Sequence, residues 1–141
     1  MGPPLIVADT NLIAYLLIDG DRTAEAEAVF TRDPIWASPL LWRSELRNVL
    51  SYHVHRRLFP LEHALALAEQ AEEVIEGRDF AVATADVLEL AASSGCSSYD
   101  CEFVVLAREL DLPLVTADRT VLRSFPERAI SLTRFAAQPR N

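Results

Sequence analysis

Four acidic residues, Asp9, Glu45, Asp100 and Asp118, occupy positions where a carboxylate asks for an explanation. Asp9 directly follows the apolar run Leu5-Ile6-Val7-Ala8, and Asp118 comes two residues after an apolar run ending at Thr116. Either residue suits the N-cap of the helix that follows it. Glu45 is different. Leu41, Leu46, Val49 and Leu50 put it on or beside the apolar stripe of its helix. A buried charge left unpaired costs several kcal/mol, so Glu45 needs an arginine or a metal ion. Arg43 and Arg47 stand two residues away on either side, which on a helix aims them elsewhere. Asp100 shares a helix face with Phe103, Val104 and Ala107, although an acid in the first helical turn would ordinarily face water. Two carboxylates at strand ends and two on inward helix faces make a hard, oxygen-only donor set, suited to Mg²⁺ or Mn²⁺ and not to zinc. Such an ion activates water and stabilises charge on a phosphate, so hydrolysis of a phosphodiester is the chemistry that fits. Thr10, Asn11 and Thr116 flank the acids with hydroxyl or amide groups that would orient a carboxylate or a water, or would serve only as turn residues.

The elements that must position these groups alternate. An apolar strand runs to Ala8 and is followed by a helix carrying Leu12, Ile13, Leu16 and Leu17. A second helix is expected at 23–32, a strand at 35–37 and a long helix at about 40–57 entered through Ser38-Pro39. Further helices are expected at about 60–76, 84–93 and from Ser97 or Ser98 to about Leu110. Strands are expected at 80–82 and 112–116, a short helix after Asp118, and a last edge strand at 129–132. This alternation predicts a parallel sheet with helices on both faces, whose ligands bind beyond the carboxyl ends of the strands. The polar stretch from Ala136 is expected to be a flexible tail, giving a single domain over 1–135 and a tail over 136–141.

Composition narrows the function. A chain of 141 residues, half of them apolar, suits one domain with one continuous core. The formal charge of −8 argues against a protein that grips nucleic acid through a broad basic surface, so any such contact must be local. All 13 basic residues are arginine, which excludes the P-loop and most aspartyl-phosphate sites, because both rely on a lysine. Cys96 and Cys101 lack zinc-site spacing and are expected to be reduced thiols. With neither a secretory leader nor a run of roughly 20 apolar residues, the protein is expected in the cytoplasm and not in a membrane.

Four segments together resemble the PIN-domain ribonucleases, and in particular the VapC-like toxins of bacterial toxin–antitoxin pairs. They are Val7-Ala8-Asp9-Thr10-Asn11, Ser44-Glu45-Leu46 with Asn48-Val49-Leu50, Ser98-Tyr99-Asp100 leading to Val105-Leu106-Ala107, and Leu114-Val115-Thr116-Ala117-Asp118. The resemblance covers nearly the whole chain. It implies a three-layer α/β/α sandwich with a five-stranded, mainly parallel sheet, and endoribonuclease activity dependent on Mg²⁺ or Mn²⁺. It further implies a homodimer and a cognate antitoxin. It carries Asp9, Glu45, Asp100 and Asp118 over as metal-binding acids with Thr116 beside them. Some relatives have a further aspartate just after the fourth acid, whereas Arg119-Thr120-Val121 offers none, which leaves a second metal position open.

Several features compete for the same roles. Thr84-Ala85-Asp86 copies Thr116-Ala117-Asp118, but the implied sheet order puts its strand at an edge, so Asp86 is read as a helix-start acid. Glu102, two residues from Asp100, is expected to point away into solvent. His53, His55 and His63 have no chelating spacing and are expected at the surface. Arg119 and Arg123, flanking the fourth acid, either hold RNA phosphate or form ordinary surface ion pairs, and the same choice applies to Arg43, Arg47, Arg56 and Arg57. Two rival functions stand beside the ribonuclease: another metal-dependent phosphoesterase, acting on DNA or a small ester, and a non-catalytic interaction module in which the acids are only caps.

Overall fold

The computed structural model describes residues 2–139. Its strands are β1 (Ile6–Ala8), β2 (Trp36–Pro39), β3 (Asp79–Phe80), β4 (Leu114–Val115) and β5 (Ala129–Ile130). They form one sheet in the order β3-β2-β1-β4-β5, with every pairing parallel. The helices are α1 (Thr10–Leu17), α2 (Thr23–Arg32), α3 (Leu41–His55), α4 (Leu61–Ile75), α5 (Thr84–Ser94), α6 (Ser98–Leu110), α7 (Arg119–Ser124) and α8 (Leu132–Ala137).

The period of two along each strand divides the core between two faces. Ile6, Ala8, Trp36, Val115 and Ile130 pack with α1, α2, α3, α4 and α8, while Val7, Leu114 and Ala129 pack with α5, α6 and α7. Central strands buried on both sides consist of apolar and small residues, which is why they read as short continuous runs and not as alternating ones. The result is the three-layer α/β/α sandwich expected from the sequence.

The chain builds β1, β2 and β3 in one direction, then crosses back to lay β4 and β5 on the other side of β1. The reversal opens a crevice at the carboxyl ends of β1 and β4, the usual ligand position in such sheets. β3, the strand before Asp86, is at the sheet edge as expected.

Several boundaries differ from expectation: β4 is shorter than the expected 112–116, and Leu132, expected in the last strand, starts α8. Ser38 and Pro39, expected to open a helix, extend β2 instead, because Ser38 N donates to Arg78 O (3.1 Å) and Leu40 N to Phe80 O (3.0 Å). Pro39 lies between these two donors, so its missing N–H costs this ladder nothing. β3 begins at Asp79, one residue before the expected strand, and ends at Phe80. The expected tail also starts too early. Ser131 caps α8, Leu132 and Phe135 bury against the core, and the helix continues through Ala137. The Arg32 guanidinium lies over the Phe135 ring at 4.6 Å and donates to Pro139 O at 3.1 Å. Residues 140–141 of the expected tail lie outside the described residues.

One polar joint sets the pose of α3. Asp79 Oδ2 accepts from Trp42 Nε1 (3.0 Å) and Arg43 Nε (2.7 Å), while Arg43 also reaches Glu72 Oε1 at 2.7 Å on α4. Burial pushes the Asp79 carboxyl up, but the bonds from Arg43 and Trp42 outweigh it and hold the group below its usual range. Asp79→Ala should therefore lower stability by about 2–3 kcal/mol, since it strands the buried Trp42 N–H and unpairs Arg43. Urea denaturation checks this, and an unchanged midpoint would remove the joint from the account.

Candidate functional site

Ala8 pairs with Val115, so Asp9 and Thr116 leave the sheet side by side. Asp9 is the N-cap of α1, its Oδ1 accepting from Leu12 N at 2.8 Å, and Asp118 is the N-cap of α7, its Oδ1 accepting from Val121 N at 3.0 Å. Thr116 joins them: its hydroxyl donates to Asp9 Oδ2 and accepts from Asp118 N at 3.0 Å. Each aspartate caps with one oxygen, so capping and ion binding are compatible uses of the same side chain.

Glu45 enters from the middle of α3 and Asp100 from the first turn of α6. Leu46 and Leu50 anchor the buried face of α3, and Phe103, Val104 and Ala107 that of α6, which leaves both carboxylates half-buried at the rim of the core. Thr10 Oγ1 donates to Glu45 Oε1 at 2.7 Å, tying the start of α1 to α3. Among the described residues no arginine takes this role, and Arg43 is committed to Asp79 and Glu72. All four acids line one cleft of about 520 Å³, together with Thr10, Asn11, Thr116, Ser44, Asn48 and Tyr99 and an apolar side formed by Leu41, Val49 and Phe103.

The electrostatics connect the acids in a ring. Burial, reinforced by Asp118 and Glu45 and opposed by bonds from Thr116 and Leu12, pushes Asp9 up to about 6. Glu45 is raised by burial and by Asp100, against the Thr10 bond, and Asp100 is raised by burial and by Asp118. Each acid thus repels two of the others. All four are hard oxygen donors, and Asp9, Glu45 and Asp100 have raised proton affinity. Among the described residues, no three His, Cys, Asp or Glu side chains stand close enough together to hold a metal ion as they are placed. Like charges hold themselves apart, and Mg²⁺ in particular keeps several waters and uses few direct carboxylates, so an open arrangement fits it.

The other expected residues divide. Asn11 is exposed on the cleft wall, and Arg119 and Arg123 are exposed on α7 with no ion pair among the described residues. Asp86 is exposed in a separate groove with Glu89 and Arg108. Glu102 does not point into open solvent. It is half-buried beside Leu40, Phe80 and Ser98, and its carboxyl is raised by burial and then by Glu45. Its i+2 spacing from Asp100 describes α6 alone, whereas α3 packs close enough to bring Glu45 near. His53 is half-buried and not at the surface, with Nδ1 2.8 Å from Val49 O and its ring stacked on Phe59 at 5.1 Å. Sequence reasoning assigned no role to Ser44, Asn48 or Tyr99, which also line the cleft. Asn48 was accessible, since it lies at i+3 from Glu45 and so shares its face.

A sequence profile described as PIN domain matches residues 6–127, which includes every one of these acids. The chain belongs to the PIN-domain family. This PIN domain is 27% identical over 124 residues to a protein named Ribonuclease VapC3 from Pyrobaculum aerophilum, a match spanning 86% of this chain and 95% of that protein. Its fold is similar to that of the crystal structure of PAE2754 from Pyrobaculum aerophilum, with a TM-score of 0.75 and 22% identity over 96% of this chain and 91% of the other. It is also similar to the crystal structure of FitAcB from Neisseria gonorrhoeae, with a TM-score of 0.66 and 16% identity over 92% of this chain and 99% of the other. Among the described residues, no helix is long and apolar enough to cross a membrane.

The raised Asp9 carboxyl makes a signed prediction for the metal-free PIN domain. Because its folded value of about 6 exceeds the usual 3.8, ionised Asp9 opposes folding. The penalty is absent below about pH 4, grows as pH rises and is complete above about pH 6, where two units correspond to roughly 3 kcal/mol. Asp9→Asn keeps a capping oxygen and loses the charge. In metal-free protein it should gain about 1–3 kcal/mol at about pH 7.5 and little at about pH 4.5, measured by urea denaturation. A variant no more stable than wild type at the higher pH contradicts this account of Asp9.

Proposed function

We propose that this chain is a metal-dependent endoribonuclease, the toxin of a toxin–antitoxin pair, which hydrolyses RNA phosphodiester bonds at the cleft between β1, β4, α3 and α6. The observation that carries the reading is the ring of four mutually repelling carboxylates from four elements at the point where the sheet order reverses. Membership of the PIN-domain family and the likeness to Ribonuclease VapC3 support the choice of RNA.

In this reading Asp9, Glu45, Asp100 and Asp118 hold Mg²⁺ or Mn²⁺, and a bound ion supplies water activation and neutralisation of phosphate charge. Thr116 orients Asp9 and anchors the backbone of Asp118, while Thr10 orients Glu45. Those bonds fix the carboxylates before substrate arrives, so little rearrangement is needed at the moment of reaction. Asn11 offers an amide to water or substrate on the cleft wall. Arg119 and Arg123 hold a phosphate flanking the cleaved bond, since neither is engaged by an acid. The protein acts in the cytoplasm as a homodimer, and a cationic segment of the antitoxin suits its charge of −8.

The test uses protein stripped with EDTA, a structured RNA, and added Mg²⁺ or Mn²⁺. Cleavage should require the ion and fall at least about a hundredfold in Asp100→Asn and in Asp118→Asn, as expected for removal of a charged group essential to phosphoryl chemistry. Arg119→Glu and Arg123→Glu should each weaken RNA binding about tenfold and flatten its salt dependence. Cleavage that persists in EDTA, or in both amide variants, would end the reading. Equal cleavage of single-stranded DNA or of a nitrophenyl phosphate ester would transfer the site to the broader phosphoesterase class.

A further inference from the structure

Tyr99 is the residue of the cleft with no structural reason to be there. It is the second residue of α6, immediately before Asp100, and 61% of it is exposed. That turn is already capped by Ser97, whose hydroxyl accepts from Asp100 N at 3.1 Å, so the helix start does not depend on an aromatic side chain. No hydrogen bond to its hydroxyl and no ring contact involves Tyr99 among the described residues, whereas His53 stacks on Phe59 and His63 meets Phe59 edge-on. Phe103 follows at i+4 on the same helical face and lines the same cleft. Leu41 and Val49 of α3 contribute further apolar surface, so the cleft joins an apolar wall with a projecting ring to a row of carboxylates. Once the carboxylates hold a cation, as in the reading above, a planar, apolar-faced group carried next to an anionic one matches that pairing, and a nucleotide is such a molecule.

Resting on the ribonuclease reading above, we propose that Tyr99 is a stacking platform for the base of the nucleotide beside the cleaved phosphate, which makes the site selective for unpaired RNA. Only an unstacked base can lie on the ring, so duplex RNA is excluded by its own base stacking. The ring accepts any base, because every base has a π-face, and so Tyr99 selects strandedness and not sequence. Ser44 and Asn48, the uncharged polar side chains on the α3 side of the cleft, are the groups placed to meet the edge of the base. The adjacency of Tyr99 to Asp100 restricts the contact to the nucleotides flanking the scissile bond.

The experiment measures steady-state cleavage, with Mg²⁺ or Mn²⁺, of one single-stranded oligoribonucleotide, of its duplex with a complement, and of the same strand with an abasic site next to the mapped cut. Wild type, Tyr99→Phe and Tyr99→Ala are compared. Wild type should cut the single strand and spare the duplex. Tyr99→Ala should raise KM for the intact strand about tenfold or more with kcat little changed, while Tyr99→Phe stays within about twofold. On abasic RNA wild type and Tyr99→Ala should be alike, because removing either partner of a stack removes the same contact. A Tyr99→Ala loss as large on abasic as on intact RNA, a Tyr99→Phe loss equal to that of Tyr99→Ala, or an unchanged KM in Tyr99→Ala would overturn the platform alone. A wild type that cuts no RNA overturns the nuclease reading, and the platform with it.

Discussion

Repulsion among Asp9, Glu45, Asp100 and Asp118 is the constraint on which the organisation of this molecule turns. Bringing carboxylates to the half-buried rim of a sheet raises their proton affinity, and here burial is the largest cause for Asp9, Glu45 and Asp100, with the neighbouring acids adding to it. The fold supplies partial compensation. The N-termini of α1 and α7 face Asp9 and Asp118, and threonine hydroxyls bond Asp9 and Glu45. It is not enough to bring Asp9 down, which stays at about 6. In the function proposed above, a divalent cation with a preference for oxygen donors is the counter-charge that completes the set.

The rest of the structure holds this unfavourable arrangement in place. Parallel pairing of β1 with β4 delivers Asp9 and Thr116 together, and the turn onto α7 delivers Asp118. The Asp79 joint with Trp42 and Arg43 sets α3, and with it the direction of Glu45. That use of Arg43 commits it to Asp79 and Glu72 and away from the acidic ring. At the surface Arg22, Arg43, Arg78, Arg108 and Arg128 are engaged by acids, whereas Arg119 and Arg123, like Arg47, Arg56, Arg57 and Arg134, are exposed with no ion pair among the described residues.

Much of this was legible because the signals were local. Strands buried on both faces appear as short apolar runs, and Asp9, Asp118, Ser97 and Gly95 mark helix ends by their own chemistry. Glu45 and Asp100 stood out because a carboxylate on an apolar face conflicts with its helix. The failures came where a partner distant in sequence decides the outcome. Ser38-Pro39 joined β2 because β3, some forty residues later, supplied acceptors. Glu102 was misjudged because α3 approaches it from outside its own helix, and α8 was missed because its order depends on Arg32 and the α2 surface. Sheet order followed from the family resemblance, since nothing in a strand's own residues names its neighbour.

The most direct measurement is a calorimetric titration of metal-free protein with Mn²⁺ at about pH 6, without RNA, repeated in buffers of different ionisation enthalpy. With Asp9 near half-protonation at that pH, the account predicts saturable binding accompanied by proton release, the release shrinking at about pH 8 and the binding lost in the Asp9→Asn, Asp100→Asn double variant. Saturable binding that survives in the double variant, or no binding to the wild type, would contradict the claim that these acids form a cation site.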